Sequence, residues 1–356
     1  MITFSIIGNG WRTPFFLKLM EELPEQFRVA GMLARNPEKG AVITQRWGVP
    51  TFTTLDDLLR AERPEFVVTS VPWAVNPGMI VECVERGLPV LSETPPAPTV
   101  EALNVLYQQV GKTGKVQIAE QYPFQPLHAA RLQLAQSGKL GTITQAQVSI
   151  AHGYHGIVLI RRFLNVGFEP VTIRARNFTA PLVEGPGRNG PPAEEKIKDD
   201  TQLMAQFDFE SGKLGTFDFT GAQYFSYVRG NRLLVRGERG EIDNSSARWL
   251  IDPRTPMHAI FERHDAGYSG NLEGLFHKGY TAGGEWVYRN PFTPARLTDD
   301  EIAVGQCVVK MHEYVQGGDP YYHLAEGCHD HYLYLLMQQA AAASGEAVPS
   351  ARQVWM

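Results

Sequence analysis

Thr3-Phe-Ser-Ile-Ile7-Gly8-Asn9-Gly10-Trp11-Arg12-Thr13-Pro14-Phe-Phe-Leu17 makes one apolar run, breaks it with two glycines, and starts another. The first run, rich in isoleucine and phenylalanine, predicts a buried strand, and Pro14 with the apolar residues behind it predicts a helix start. The turn between them matches Gly-x-Gly-x-x-Gly in two of its three glycines, with Thr13 in the third place. The first glycine permits a tight turn, and the second lets backbone approach a pyrophosphate, which then rests on the N–H groups of the helix N-terminus. Strand, glycine turn and helix in that order are the context in which such a turn binds a dinucleotide. Gly8, Asn9, Gly10, Trp11, Arg12 and Thr13 are therefore candidate cofactor-binding residues, although Thr13 crowds helix against strand more than glycine would.

Outward from this turn, residues 1–120 alternate short β-branched runs with amphipathic stretches, the rhythm of βαβ units feeding a parallel sheet. Strands are predicted at Thr3–Ile7, Val29–Leu33, Phe66–Thr69, Pro89–Leu91 and Val116–Ala119, with helices over Pro14–Leu23, Pro37–Trp47, Thr54–Ala61, Pro77–Arg86 and Thr99–Gly111. The fold class is α/β: a doubly wound Rossmann domain over 1–120, followed by an α+β domain over 121–356 with a mostly antiparallel sheet. In the second part, Gln202–Phe209 and Gly215–Thr220 flank Glu-Ser-Gly-Lys, which is hairpin chemistry, and further strands are expected at Asn231–Arg236 and Glu241–Asp243. Leu182–Asp200 and roughly Asp252–Thr298 mix Gly, Pro and charged or aromatic residues without periodicity and read as excursions from the sheet. A helix is expected around Gly327–Ser344.

The 356 residues suffice for two packed domains. Against 38 acidic residues stand 33 Lys and Arg, a net charge of −5 with no block of either sign, which argues against a nucleic-acid partner. No apolar run approaches ~18 residues and the N-terminus lacks a signal-peptide pattern, so a cytoplasmic protein without a membrane partner is expected. Three widely spaced cysteines, Cys83, Cys307 and Cys328, fit reduced thiols.

At the end of the second predicted strand, Met32-Leu-Ala34-Arg35-Asn36-Pro37 lacks the acidic residue that usually meets the ribose 2′-OH of NAD. Ala34 and Arg35, with Lys39 nearby, leave room and positive charge for a 2′-phosphate. NADP is thereby favoured over NAD.

Together with the glycine turn, the segments Val71-Pro72-Trp73, Val90-Leu-Ser-Glu93-Thr94-Pro95, Ala119-Glu-Gln121-Tyr122-Pro-Phe124-Gln-Pro126 and Gly153-Tyr154-His155 resemble the glucose–fructose oxidoreductase / inositol dehydrogenase / rhizopine catabolism (Gfo/Idh/MocA) family over nearly the whole chain. The resemblance implies an N-terminal NAD- or NADP-binding domain and a C-terminal sheet domain that carries the substrate face and forms a homodimer or homotetramer. It also implies oxidation or reduction of a hydroxyl or carbonyl carbon of a sugar or cyclitol. It places Val71, Pro72, Trp73, Glu93, Thr94 and Gln121 beside the cofactor. The family's Glu-Lys-Pro motif carries a lysine next to nicotinamide and substrate, and here that position is Thr94, which cannot act as a cation or productive base near neutral pH. The family's Asp-x-Gly-x-His-x-x-Asp element reads Ala151-His152-Gly-Tyr154-His155-Gly-Ile-Val158, keeping the histidine and losing both aspartates.

His155 is the first candidate to replace the lysine, since an imidazole titrates where a general base must. Tyr122 and Tyr154 follow as proton relays, with His152 as a further substrate-side group. Arg161 and Arg162 are candidates to hold an anionic substrate through bidentate bonds. His329 and His331, two residues apart on a predicted helix, would point to diverging faces, so no metal site is expected. Two other readings remain open: a lyase or glycoside hydrolase in which bound NAD(P) acts transiently, and a non-catalytic ligand-responsive regulator on the same scaffold.

Overall fold

The computed structural model describes residues 1–267 and 274–356. The chain begins with β1 (Ile2–Ile7), α1 (Thr13–Glu22), β2 (Phe27–Leu33), α2 (Pro37–Trp47), β3 (Thr51–Phe52), α3 (Leu55–Ala61), β4 (Phe66–Thr69), α4 (Asn76–Glu85), β5 (Val90–Ser92), α5 (Val100–Val110) and β6 (Val116–Ile118). The six strands pair in parallel in the order β3-β2-β1-β4-β5-β6, the doubly wound Rossmann arrangement. Because side chains alternate across a strand, Phe4, Ile6, Phe66, Val68 and Leu91 feed one core while Ile7, Val67 and Val90 feed the other.

The second part comprises α6 (Pro126–Gln136), β7 (Ile143–Ser149), α7 (Gly153–Leu164), β8 (Val171–Val183), β9 (Ile197–Phe209), β10 (Leu214–Phe219), β11 (Arg232–Gly237), β12 (Gly240–Asp243), β13 (Ser246–Asp252), β14 (Thr255–Ile260), β15 (Glu262–Ala266), β16 (Phe276–Ala282), β17 (Glu285–Arg289), α8 (Asp299–Val315), α9 (Leu324–Ala342) and β18 (Val348–Pro349). Its main sheet has nine strands in the order β14-β13-β12-β11-β7-β10-β9-β8-β18, antiparallel except where β10 pairs with β7. The helix α7 is apolar along Ile157-Val-Leu-Ile160 and buries those residues in the core that also takes Phe207 and Phe217 from the sheet.

Two expectations require correction. The excursion at Leu182–Asp200 shrinks to residues 184–196, because β8 and β9 stay paired up to Val183 opposite Ile197. Nor is most of Asp252–Thr298 irregular: β14 extends the large sheet, and β15, β16 and β17 form a three-stranded antiparallel meander before a connection over 290–298, while 268–273 lie outside the described residues. Strands β14, β15 and β17 are mostly exposed or half-exposed, so no clean apolar alternation marks them in the sequence. The helix α8, not expected from periodicity, is announced by Thr298, whose hydroxyl accepts from Glu301 N–H while the Glu301 carboxylate accepts from Thr298 N–H.

Candidate active site

The glycine turn is pressed against the end of β4. Gly8 takes φ +99°, and a Cβ there would lie 2.3 Å from the Ser70 carbonyl oxygen; at Gly10 it would lie 2.7 Å from Ser70 Oγ. Gly10 N–H donates to the Ser70 carbonyl, so the turn sits where only backbone fits. No side chain caps the N-terminus of α1; Thr13 N–H donates to the Gly10 carbonyl, Phe15 N–H to the Arg12 carbonyl, and Pro14 between them has no N–H. A groove of about 490 Å³ runs along the carboxyl ends of the strands. Gly8, Asn9, Gly10, Trp11 and Arg12 line it from the turn, Ala34, Arg35 and Lys39 from the end of β2. Val71, Pro72 and Trp73 follow β4, and Glu93 and Thr94 follow β5. Arg35 and Lys39 have no ion-pair partner among the described residues. Two predicted residues stand behind the groove: Thr13 is buried with its hydroxyl unpartnered, and Gln121 is buried with its amide oxygen, in the orientation that satisfies both ends, accepting from Arg12.

Against this groove lies a second cavity of about 830 Å³, and Trp11, Arg12, Trp73, Glu93 and Thr94 border both. Arg12 holds the junction. It pairs with Asp300 at 3.0 Å and stacks beneath Trp11, while Arg188, from the 184–196 loop, covers the same indole at 4.2 Å. Burial lifts Glu93 to about 7, with Arg12 opposing. Thr94 and Tyr154 both line this cavity.

His155 enters the cavity near the start of α7, only 4% exposed, its ring 4.5 Å from both Tyr122 and Tyr154 and 4.9 Å from His152. Its Nδ1 lies 2.7 Å from Oε2 of Glu120, itself 1% exposed, and the other carboxylate oxygen accepts the Tyr122 N–H. The aspartates lost around His155 are thus compensated from another element: Glu120 follows β6 and reaches the imidazole across the domain junction. Burial drives both partners toward their neutral forms, lifting Glu120 to about 8 and lowering His155. Tyr224 accepts the His152 backbone N–H and bonds its Nδ1. Burial raises both Tyr122 and Tyr154 well above the ordinary phenol range and lowers His152 to about 4.

Sequence reasoning missed Glu120, Tyr224 and Arg131, all at the cavity or its dyad. Glu120 had a signal: an acid directly after the apolar strand Val116–Ile118 falls at the carboxyl edge of a doubly wound sheet, where ligands bind. Tyr224 and Arg131 had none, since only tertiary folding brings them in. Conversely, neither Arg161 nor Arg162 lines the cavity. Arg161 is buried in ion pairs with Asp330 at 2.8 Å and Glu326 at 2.9 Å, and Arg162 donates to the Tyr321 carbonyl. Facing away from the site, they are structural. His329 packs on Phe168 whereas His331 packs on Trp73 and Tyr154.

Residues 2–121 match the family model described as the oxidoreductase family, NAD-binding Rossmann fold (GFO_IDH_MocA). That stretch belongs to the Gfo/Idh/MocA family. The chain is 26% identical over 259 residues to inositol 2-dehydrogenase of Rubrobacter xylanophilus, covering 68% of this chain and 70% of that one. It is also 26% identical over 170 residues to the oxidoreductase-like protein YteT of Bacillus subtilis (strain 168), covering 46% of this chain. That match spans only 40% of YteT's length. Among solved structures, levoglucosan dehydrogenase in complex with NADH and levoglucosan superposes with a TM-score of 0.69 at 14% identity, covering 98% of this chain and 99% of the other, which establishes a common fold. Among the described residues no helix is long and apolar enough to cross a membrane.

Proposed function

We propose that this oxidoreductase uses NAD(P), with NADP favoured, to interconvert a hydroxyl and a carbonyl carbon on a sugar- or cyclitol-like substrate. The observation that carries the reading is the junction of nucleotide groove and cavity at Thr94, where the His155–Glu120 dyad faces the space a substrate would fill. The groove fits the cofactor: the turn at Gly8 and Gly10, where only backbone fits, suits the close approach of a pyrophosphate, and unpaired Arg35 and Lys39 suit a 2′-phosphate, with no carboxylate lining the β2 end. The inositol and levoglucosan dehydrogenases among its relatives support a carbohydrate-like substrate.

Bound nicotinamide would supply the hydride acceptor or donor. The chain's own residues handle the proton. With Nδ1–H donated to ionised Glu120, Nε2 presents a lone pair that accepts the proton of a substrate hydroxyl. With Glu120 protonated and donating to Nδ1, Nε2 carries a hydrogen that can pass to a developing alkoxide, while the Glu120 proton moves onto Nδ1. Glu120 therefore restores the carboxylate that the sequence motif lacks, which removes the main motive for a non-catalytic regulator. Thr94 and Tyr154, both lining the cavity, offer hydroxyls to orient the reacting oxygen.

The test is a parallel fluorescence titration with NADPH and NADH, followed by turnover at 340 nm with sugars and cyclitols. NADPH is expected to bind more tightly, and Arg35→Ala to remove most of that preference. His155→Ala is expected to retain nucleotide binding and lose turnover. Absence of binding by either nucleotide overturns the redox reading, and unchanged turnover in His155→Ala overturns the role of the dyad.

A further inference from the structure

Helix α6 places Arg131 in the cavity wall, 6% exposed. Its Nε donates to the Asn244 carbonyl at 2.8 Å, and Nη1 meets Nδ1 of His128 at 3.2 Å. Both partners are uncharged, because burial and Arg131 itself hold His128 well below the usual imidazole range. Among the described residues no carboxylate pairs with Arg131, and Nη2 has no hydrogen-bond partner. Of the other arginines around this cavity, Arg12 is paired with Asp300 and Arg232 with Asp218, while Arg188 lies over the Trp11 ring. Burial pulls Arg131 down to about 10, which leaves it a cation at neutral pH. A buried guanidinium with only neutral acceptors is costly, and the cost is recovered when an anion completes it.

We propose that Arg131 is an anion subsite and that the substrate is a sugar or polyol acid whose carboxylate it binds. The inference rests on the redox reading for its second half, the placing of the reacting carbon. The Tyr122 ring links the dyad to Arg131: it lies 4.5 Å from His155 and 6.3 Å from His128, ring centre to ring centre, and His128 touches Arg131. The carboxylate therefore sits distal to the reacting hydroxyl, as in a uronic acid, rather than on the adjacent carbon of a 2-hydroxy acid. One planar guanidinium with a single positive charge matches a carboxylate better than a phosphate dianion, which would call for further donors. Leu233, Asn244 and Tyr280 also line this cavity, able to pack and hydrogen-bond a sugar ring, and the neighbouring cation Arg232 is already held by Asp218.

The experiment compares D-glucuronate, D-galacturonate and D-gluconate with D-glucose, D-galactose, myo-inositol and hexose 6-phosphates, on protein saturated with NADP⁺ or NAD⁺. Turnover is read at 340 nm and equilibrium binding by tryptophan fluorescence. At least one acid is expected to exceed every neutral compound in kcat/KM by on the order of 100-fold. Arg131→Gln should abolish that advantage through KM, leave the NADPH titration unchanged, and leave the melting temperature at or above wild type; Arg131→Lys should recover part of it. Neutral sugars or hexose phosphates turned over as well as the acids would overturn the inference while leaving the redox reading intact. If nothing is turned over, the redox reading fails alone provided an acid still binds wild type and not Arg131→Gln. Failure of every acid to bind overturns the inference itself.

Discussion

An imidazole closed into a wall of aromatic rings would be a poor acid or base if nothing fed its far nitrogen. Glu120 does so, and its elevated pKa sets the direction in which the dyad works. Below about 8 the pair holds the extra proton and is ready to give it to an alkoxide; above about 8 the carboxylate is ionised and Nε2 can accept. Alcohol oxidation should therefore rise with pH and level off above about 8, and carbonyl reduction should fall over the same interval. Glu120→Gln keeps a side chain of the same shape but cannot titrate. It should lower kcat roughly 10²-fold and flatten this limb of the pH profile, whereas a merely structural glutamate would leave the profile unchanged. The pH dependence of kcat for wild type and Glu120→Gln checks this. The sequence made His155 legible because an imidazole beside Gly-Tyr belongs to a recognisable motif, but its carboxylate stands 35 positions away on another element, where no local pattern connects the two.

Helix α7 carries the chemistry at its N-terminal end and an anchor at its C-terminal end. Arg161 locks it to Asp330 on α9, both side chains nearly inaccessible, with Tyr322 also donating to Asp330. Removing one partner of such a pair leaves an uncompensated buried charge, for which about 3 kcal/mol is a reasonable cost, softened here by Glu326, which remains on Arg161 at 2.9 Å. Asp330→Ala should thus lower the urea midpoint substantially and weaken substrate turnover only through lost folded protein; a loss of kcat in the fraction that stays folded would show that the anchor also tunes His155. The same pair shows why arginines were misread as substrate ligands: adjacency to a catalytic motif in sequence says nothing about which face of the helix a side chain takes. Elements with strong periodicity, such as Pro37–Trp47 and Phe66–Thr69, were legible to the residue. Those decided by cap chemistry or by half-exposed pairing, α8 and β14 to β17, were not.

Across the whole molecule, the first sheet does not complete its own core. One face is covered by α1 and α2 near β1 to β3, and over the adjoining strands it is closed by α8, which arrives nearly two hundred residues later. Ile302, Val304, Cys307, Val308 and Met311 from α8, with Phe292 before it, share a buried cluster with Phe4, Ile6, Phe66, Val68 and Leu91. At ~1.5–3 kcal/mol for each large apolar side chain, losing these contacts removes on the order of 10 kcal/mol, comparable with the total stability of an ordinary domain. A fragment of residues 1–121, although it spans the entire stretch matched by the family model, should fail to fold cooperatively and should not bind NADPH. The full chain should unfold in one transition that NADPH shifts upward as a unit. Circular dichroism and nucleotide titration of the fragment and the full chain decide it: a fragment that melts cooperatively and binds NADPH would mean that α8 merely docks on a finished domain. The predicted failure has a functional counterpart, because Asp300, in the first turn of the same helix, pairs with Arg12 at the junction of groove and cavity. The segment that closes the nucleotide domain's core thus also fixes the cation between cofactor and substrate, so folding of the C-terminal part and assembly of the site are one event.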